Sequence, residues 1–352
     1  METNYRIELF VRLGETLRKR LCDRSAEEII AQSTEQNPWF TPEDVSGAIR
    51  AICSDMLRRE TLERWIARYT RPEGFAARRI GLVTAGNLPL VGFADLMYVL
   101  VCGHTCLLKP SSKDRVLTDW IVSLLRQIDP SIDIRPLENE RPDALIATGS
   151  NMTRLHFESA YPGIPKLLRG SRNSVAVLRG DESDEEFERL SEDIFLYSGM
   201  GCRSVGRIFI PSDYDLSRLR DRLMRYGAPS PGYRNAYRQA RALRVMSGRR
   251  FTDGGFFLLE EGRDEIPCTG TIVCTRYENL AEAERWIADN DSRLQCVAAA
   301  RHTLRHPRRV DFGQAQHPGP EDYADGIDVM EFLLRMDDRP HRTSLPITPD
   351  LP

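Results

Sequence analysis

The eight cysteines include no C-x-x-C pair, and the six histidines are scattered, so neither a zinc site nor a redox dithiol is written into the chain. No G-x-G-x-x-G stretch occurs, which argues against the ordinary dinucleotide fold. An excess of one charge is lacking too. A formal net charge of −3 gives nucleic acid or an anionic membrane no general attraction, so any anion site must be local. Residues 1–9 lack the basic end and apolar run of a secretory signal. The most apolar stretch, residues 88–108, is broken by Pro89, Asp95 and His104, too interrupted for a membrane span. Cysteines in apolar runs (Cys102, Cys274, Cys296) read as buried small hydrophobes, and reduced thiols suit a cytoplasmic setting.

What is present is enough for two cores. With 352 residues, 41% of them hydrophobic, the chain suits two domains with a cleft between them. The first seventy-odd residues read as helices with a packing role. Ser25 and Thr41 look like N-caps, Pro42 stands at a first helical position, and Ile49, Ile52, Met56 and Trp65 supply an apolar stripe. From Arg79 short apolar strands alternate with helices, as in a parallel sheet wrapped by helices. Strands at 80–84, 105–108 and 144–147 each end in a polar loop, at Asn87, Lys109 and Ser150. In such sheets ligands bind where strands end and helices begin, so the three loops should share one edge. A further strand at 175–178 and a helix opened by the capping box Ser183-Asp184-Glu185-Glu186 complete this region. A second α/β unit runs from about residue 205 to 301. An apolar run, Val329–Leu334, precedes a tail with Pro340, Pro346, Pro349 and Pro352, expected to be loosely ordered.

Cys202 has the neighbourhood that suggests chemistry. It lies in Gly199-Met200-Gly201-Cys202-Arg203-Ser204, where two glycines allow a sharp turn and a close substrate, and Arg203 favours the attacking thiolate. A thiolate suits a thioester, because exchange between two sulfurs is close to thermoneutral. A buried, inert cysteine is the commoner case. Asn87, in Gly86-Asn87-Leu88-Pro89, could stabilise an oxyanion or merely close a turn. Lys109-Pro110-Ser111-Ser112-Lys113 could meet a ribose and phosphate or be a solvated turn. Gly149-Ser150-Asn151, opening a helix, offers N–H groups to a phosphate.

Together the order and spacing of these segments resemble the aldehyde dehydrogenase superfamily, and more closely the LuxC-type long-chain acyl-CoA reductases. The matching stretches are Gly86-Asn87-Leu88-Pro89, Leu108-Lys109-Pro110-Ser111, Ala147-Thr148-Gly149-Ser150-Asn151 and Arg172-Asn173-Ser174-Val175-Ala176-Val177. They continue through Asp193-Ile194-Phe195, Gly199-Met200-Gly201-Cys202-Arg203-Ser204-Val205, Phe312-Gly313-Gln314-Ala315-Gln316 and Asp322-Tyr323-Ala324-Asp325-Gly326-Ile327-Asp328.

The resemblance implies an α/β fold of aldehyde dehydrogenase type, with two Rossmann-like domains and a small oligomerisation arm. It divides the chain into a helical region at 1–75, an NAD(P)-binding domain at 76–198, a catalytic domain at 199–305 and a returning segment at 306–352. Val329–Leu334 is the candidate strand arm of a homo-oligomer. It makes Cys202 the nucleophile and Asn87 the side-chain member of the oxyanion hole. Thr84, Lys109, Ser111, Gly149 and Ser150 become cofactor contacts, and Glu265 stands roughly where a glutamate holds the nicotinamide ribose. Aldehyde-oxidising members carry a water-activating glutamate where this chain reads Leu168, which cannot act as a base. That favours reduction of a thioester over acid formation. Ser111, Ser112 and Lys113 stand where an acid would hold the ribose of NAD, which favours NADPH. The implied activity is NADPH-dependent reduction of a fatty acyl thioester to an aldehyde, with no metal. Acyl-CoA or an acyl-protein is the donor, and an acyl-activating synthetase is a plausible partner. A reductase of another activated acyl group, or a non-catalytic scaffold binding cofactor or acyl chains, remains open.

Overall fold

The computed structural model describes residues 2–336, so the proline-rich tail lies outside the described residues. Four helices come first: α1 (Glu2–Cys22), α2 (Glu27–Gln36), α3 (Pro42–Ala51) and α4 (Arg59–Ile66). Thr41 caps α3 through a reciprocal box with Asp44, as its position before Pro42 predicts. Ser25 does not cap α2; Ala26 stands at that position without a side-chain bond. A π-helical turn, Ile52–Met56, separates α3 from α4.

The first sheet follows as β1 (Arg79–Val83), α5 (Phe93–Cys102), β2 (Thr105–Lys109), α6 (Arg115–Ile128), β3 (Ile134–Pro136), β4 (Ala144–Thr148), α7 (Asn151–Ala160) and β5 (Lys166–Arg169). Its five strands are parallel in the order β3-β2-β1-β4-β5. The order reverses between β1 and β4, which opens a crevice at their carboxyl ends. The loops bearing Asn87 and Ser150 flank it. Ile80, Leu82, Cys106, Leu107, Leu145 and Ile146 are buried, because helices cover both faces of a parallel sheet.

The second sheet contains β6 (Asn173–Val177), then α8 (Asp184–Phe195), β7 (Val205–Pro211), α9 (Leu216–Leu223), α10 (Pro231–Met246), β8 (Thr252–Asp253), β9 (Leu258–Glu261), β10 (Thr271–Tyr277), α11 (Leu280–Asp289), β11 (Leu294–Ala299) and β12 (Arg309–Val310). Its order is β12-β11-β6-β7-β10-β9-β8, parallel except for β8 against β9. The expected boundary at 198 is therefore corrected. Asn173–Val177 pairs with β7 and β11, so the chain crosses between sheets at 170–172. Strand pairing decides this, and a short apolar run does not announce its partner.

Val329–Leu334 is a second correction. It forms helix α12, capped by Asp328, with Val329, Met330, Phe332 and Leu333 buried in the first core beside α5. The apolar positions leave one polar gap at Glu331, a pattern that serves a buried helix as well as a strand. It is no exposed arm.

Candidate active site

Cys202 sits where three consecutive residues, Tyr197, Ser198 and Gly199, turn the chain through left-handed conformations after α8. Only the glycine adopts this freely, so the turn is held from outside. Ser198 Oγ donates to Ser230 Oγ at 2.7 Å, and the backbone N–H of Tyr197 donates to the Asp44 carboxylate of the N-terminal region. Behind Cys202, Ser174 Oγ donates to the Cys202 carbonyl at 2.9 Å. Gly201 leaves room for Leu88, whose Cδ1 would stand 3.1 Å from a Cβ placed there.

Cys202 is half-buried and lines two spaces at once. On one side is a cleft of about 730 Å³ between the two sheets. On the other is a chamber of about 190 Å³. Burial pushes the Cys202 thiol up; the charges of Arg203 and Arg169 pull it down, Asp325 opposes them, and the net direction is upward. Arg203 therefore lessens the burial effect without reversing it.

Asn87 reaches this loop: its Nδ2 donates to the Met200 carbonyl at 2.7 Å, and Asn87 lines the cleft with Cys202. The loop around it is braced from several directions. Asn37 Nδ2 donates to the Gly86 and Lys113 carbonyls at 3.2 and 3.3 Å. Leu90, itself at φ +57°, donates its N–H to Asp114 Oδ2 at 2.9 Å. A Cβ on Gly86 would come 2.4 Å from Ser111 Oγ, so glycine there lets two ligand loops close on each other.

The cleft gathers Thr84, Ser111, Lys113, Gly149, Ser150 and Thr153. Ser150 caps α7, its Oγ accepting from the Thr153 N–H at 3.2 Å, and Thr84 Oγ1 accepts from Ser111 N at 3.3 Å. Hydroxyls, one ammonium and a helix N-terminus are a donor set for ribose and phosphate groups, and the volume suits a dinucleotide. Two expected contacts do not line this wall. Lys109 is exposed, its Nζ 6.0 Å from the centre of the Phe157 ring, and Lys113 lines the cleft instead. Glu265 is paired with Arg249 at 3.3 Å outside the lining, where Pro267, Cys268, Thr269 and Gly270 stand. Its loop departs from the superfamily segment, and an ion pair within the second domain claims its carboxylate.

Leu168 also turns away. The side chain entering from the end of β5 is Arg169, which lines both spaces and is 5% exposed. It meets Asp95 of α5 at 2.6 Å, a pair that the sequence reading missed. The signal was a lone acid in an apolar helix and a lone arginine ending an apolar strand. Such charges are buried together when buried at all. Among the described residues, neither lining contains a glutamate or a histidine. Asp325 on the cleft wall is paired with Arg172 at 2.8 Å, and Asp55 on the chamber wall with His317 at 2.9 Å.

The N-terminal helices do more than pack. Ala48, Ala51, Ile52 and Met56 form one wall of the chamber. The tail bearing Asp322 and Tyr323 locks them to the sheets. Tyr323 Oη accepts from Trp65 Nε1 at 2.8 Å and meets Tyr69 Oη at 2.6 Å, while Arg203 Nη2 donates to the Asp322 carbonyl at 2.9 Å. Among the described residues no three His, Cys, Asp or Glu side chains gather as metal ligands, and no helix is long and apolar enough to cross a membrane.

Two parallel-stranded domains with a cysteine turn at their cleft define the aldehyde dehydrogenase fold, and solved structures bear this out. Aldehyde dehydrogenase 21 from Physcomitrella patens aligns with a TM-score of 0.62 at 15% identity over 84% of this chain and 73% of its own. An oxidoreductase from Marinobacter aquaeolei aligns with 0.67 at 14% identity over 91% and 79%. The NADP-dependent glyceraldehyde-3-phosphate dehydrogenase from Bacillus halodurans C-125, complexed with NADP, aligns with 0.60 at 14% identity over 86% and 74%. At these identities the likeness is one of fold. Residues 39–221, just over half of the sequence, match the model of the LuxC acyl-CoA reductases, and the chain belongs to that family. No curated protein matches it.

Proposed function

We propose that this protein reduces an acyl thioester, such as an acyl-CoA, to an aldehyde through a thioacyl group on Cys202, with NADPH as the preferred cofactor. The observation that carries the reading is the position of Cys202, which borders a cleft of dinucleotide size and a separate, largely apolar chamber. The Cys202 sulfur attacks the thioester carbonyl carbon, and the donor's thiolate leaves as the new carbon–sulfur bond replaces the old one. An amide has two N–H donors. Asn87 spends one on Met200 and has the other for the oxyanion. The cofactor, when bound, supplies the hydride.

The chain's remaining task is to keep water from taking the acyl group. Among the described residues neither wall carries a glutamate or a histidine; Asp325, Asp95 and Asp55 are paired with Arg172, Arg169 and His317, and the Asp322 carboxylate accepts the Gly319 N–H. Thr84, Ser111, Lys113, Ser150 and Thr153 would hold the cofactor's ribose and phosphates. Asp325 is the acid on that wall, and its charge is already matched by Arg172, so nothing there repels a 2′-phosphate. Because burial holds the thiol up, acylation is expected to accelerate with rising pH.

Mass spectrometry of the protein after incubation with an acyl-CoA, without NADPH, tests the reading. One acyl group should be added, and none in Cys202→Ala. NADPH binding with an unreactive Cys202 would make the protein a scaffold.

A further inference from the structure

The chamber beside Cys202 owes one wall to a single helix face. Ala48, Ala51, Ile52, Asp55 and Met56 line it at the i, i+3, i+4, i+7 and i+8 spacing of one stripe. The stripe runs off the end of α3 into the π-helical turn Ile52–Met56. There the Leu57 N–H donates to the Ile52 carbonyl, five residues back, at 3.1 Å. Such turns are rare, and they recur where a helix is reshaped for a site. Two alanines in the stripe leave room that longer side chains would take.

The lining changes character toward solvent. Ile52, Met56, Leu90, Phe93 and Tyr98 are each 8% exposed or less. Asp322 is exposed, and the half-buried Asp55 pairs with the exposed His317. The two buried charges of the lining, Asp95 and Arg169, meet each other at 2.6 Å. The chamber is thus apolar within and charged at its rim, which suits a tail of methylenes held to Cys202 at one end. Its size bounds that tail. A cavity of roughly 150 Å³ takes benzene, so at the same room per carbon about 190 Å³ takes about seven or eight carbons. A hexadecanoyl tail would need about twice the space. Its excess would pass the charged rim into water, where nothing is gained by burial.

On the thioester-reductase reading above, we infer that the acyl group this chain prefers is apolar and of medium length, about six to eight carbons, measured against the face of α3 and its π-helical turn. Ala51 and Met56 act here as specificity residues and take no part in bond making.

The test compares CoA thioesters of acetate, butanoate, hexanoate, octanoate, dodecanoate and hexadecanoate on the full chain with NADPH, each kept too dilute to form micelles. Cys202 acylation is read by mass, and kcat/KM by cofactor oxidation. From butanoate to octanoate kcat/KM should rise about two- to fourfold per methylene, the range for burying one CH₂ partly or fully. Beyond octanoate it should level off or fall. Ala51→Leu should bring the levelling a few carbons earlier, and Met56→Ala should move it later. Should Met56→Ala not fold because it empties a buried site, Ala51→Leu, at a half-buried position, keeps the test. A rise that continued undiminished to dodecanoate or hexadecanoate would overturn the inference alone. So would a maximum at acetate or butanoate, or a profile that Ala51→Leu leaves unmoved. Failure of every ester to acylate Cys202 would overturn the reductase reading, and this inference with it.

Discussion

The cleft and the chamber meet at Cys202 and are built from different kinds of chain. The cleft is walled on one side by the loops that directly follow β1, β2 and β4, which supply Thr84, Asn87, Ser111, Lys113 and Ser150. The chamber is walled by α3, the π-helical turn after it, α5, the end of β5 and the tail around Asp322. Its parts lie up to some 270 residues apart in sequence. Strand-end loops repeat a local grammar because a parallel sheet delivers every one of them to the same edge. The chamber has no such grammar, since its shape is whatever remains after distant elements pack. The conserved chemistry of a fold and the selectivity of one member can therefore reside in regions of unequal legibility.

The contrast can be broken at the oxyanion first. Asn87→Ala should lower kcat by about 100- to 1000-fold, the usual effect of removing such a donor, while NADPH still binds. Fluorescence titration of NADPH beside turnover measures both, and an equal loss of binding would assign Asn87 to the cofactor instead. A smaller effect belongs to the cleft wall. Lys113→Glu should weaken NADPH about tenfold, a change of about 1.4 kcal/mol, with NADH and Cys202 acylation little altered. An unchanged NADPH affinity would put the 2′-phosphate elsewhere. On the chamber side, Ala51→Leu should raise KM for the acyl thioester several-fold and leave the cofactor's KM alone; the reverse split would exchange the roles of the two spaces.

The smallest effect concerns the brace behind Asn87. Burial pushes the Asp114 carboxyl up to about 8 from its ordinary 3.8. The folded state then binds its proton more tightly than the unfolded state. The stability this contributes is fully present below the unfolded value and is lost as pH rises through about 8. Asp114→Asn keeps an acceptor for the Leu90 N–H without the charge, so it should raise Tm by a few degrees at pH 9 relative to wild type. The gain should shrink toward pH 5. A gain independent of pH would show that the carboxyl does not titrate in this window.

Much of the first sheet was legible because burial and turn chemistry agree there. Arg79–Val83, Thr105–Lys109 and Ala144–Thr148 are apolar runs stopped by glycine, proline or serine, and the caps at Thr41 and Ser183 name their helices. The second domain was read less completely. The short strands β8 and β9 and the polar helices α9 and α10 carry weak periodicity, and β10 begins beside the turn that holds Gly270. Lys109, at the end of β2, went astray for another reason. A motif match gives a position along the chain, while the direction of a side chain at a strand end depends on register, and one residue of slip turns it to the other face.

The amino-acid sequence on its own determined the alternation of strand and helix, the polar loops at the strand ends and the glycine-flanked Cys202, because each follows from burial or backbone freedom within a few residues. Only the tertiary structure decided that Asn173–Val177 joins the second sheet, that Val329–Leu334 is an internal helix, and that Arg169 rather than Leu168 lines the cleft with Cys202. Those outcomes depend on strand partners and on the charge of Asp95, 74 residues away, and no local pattern encodes which distant group will share a buried space.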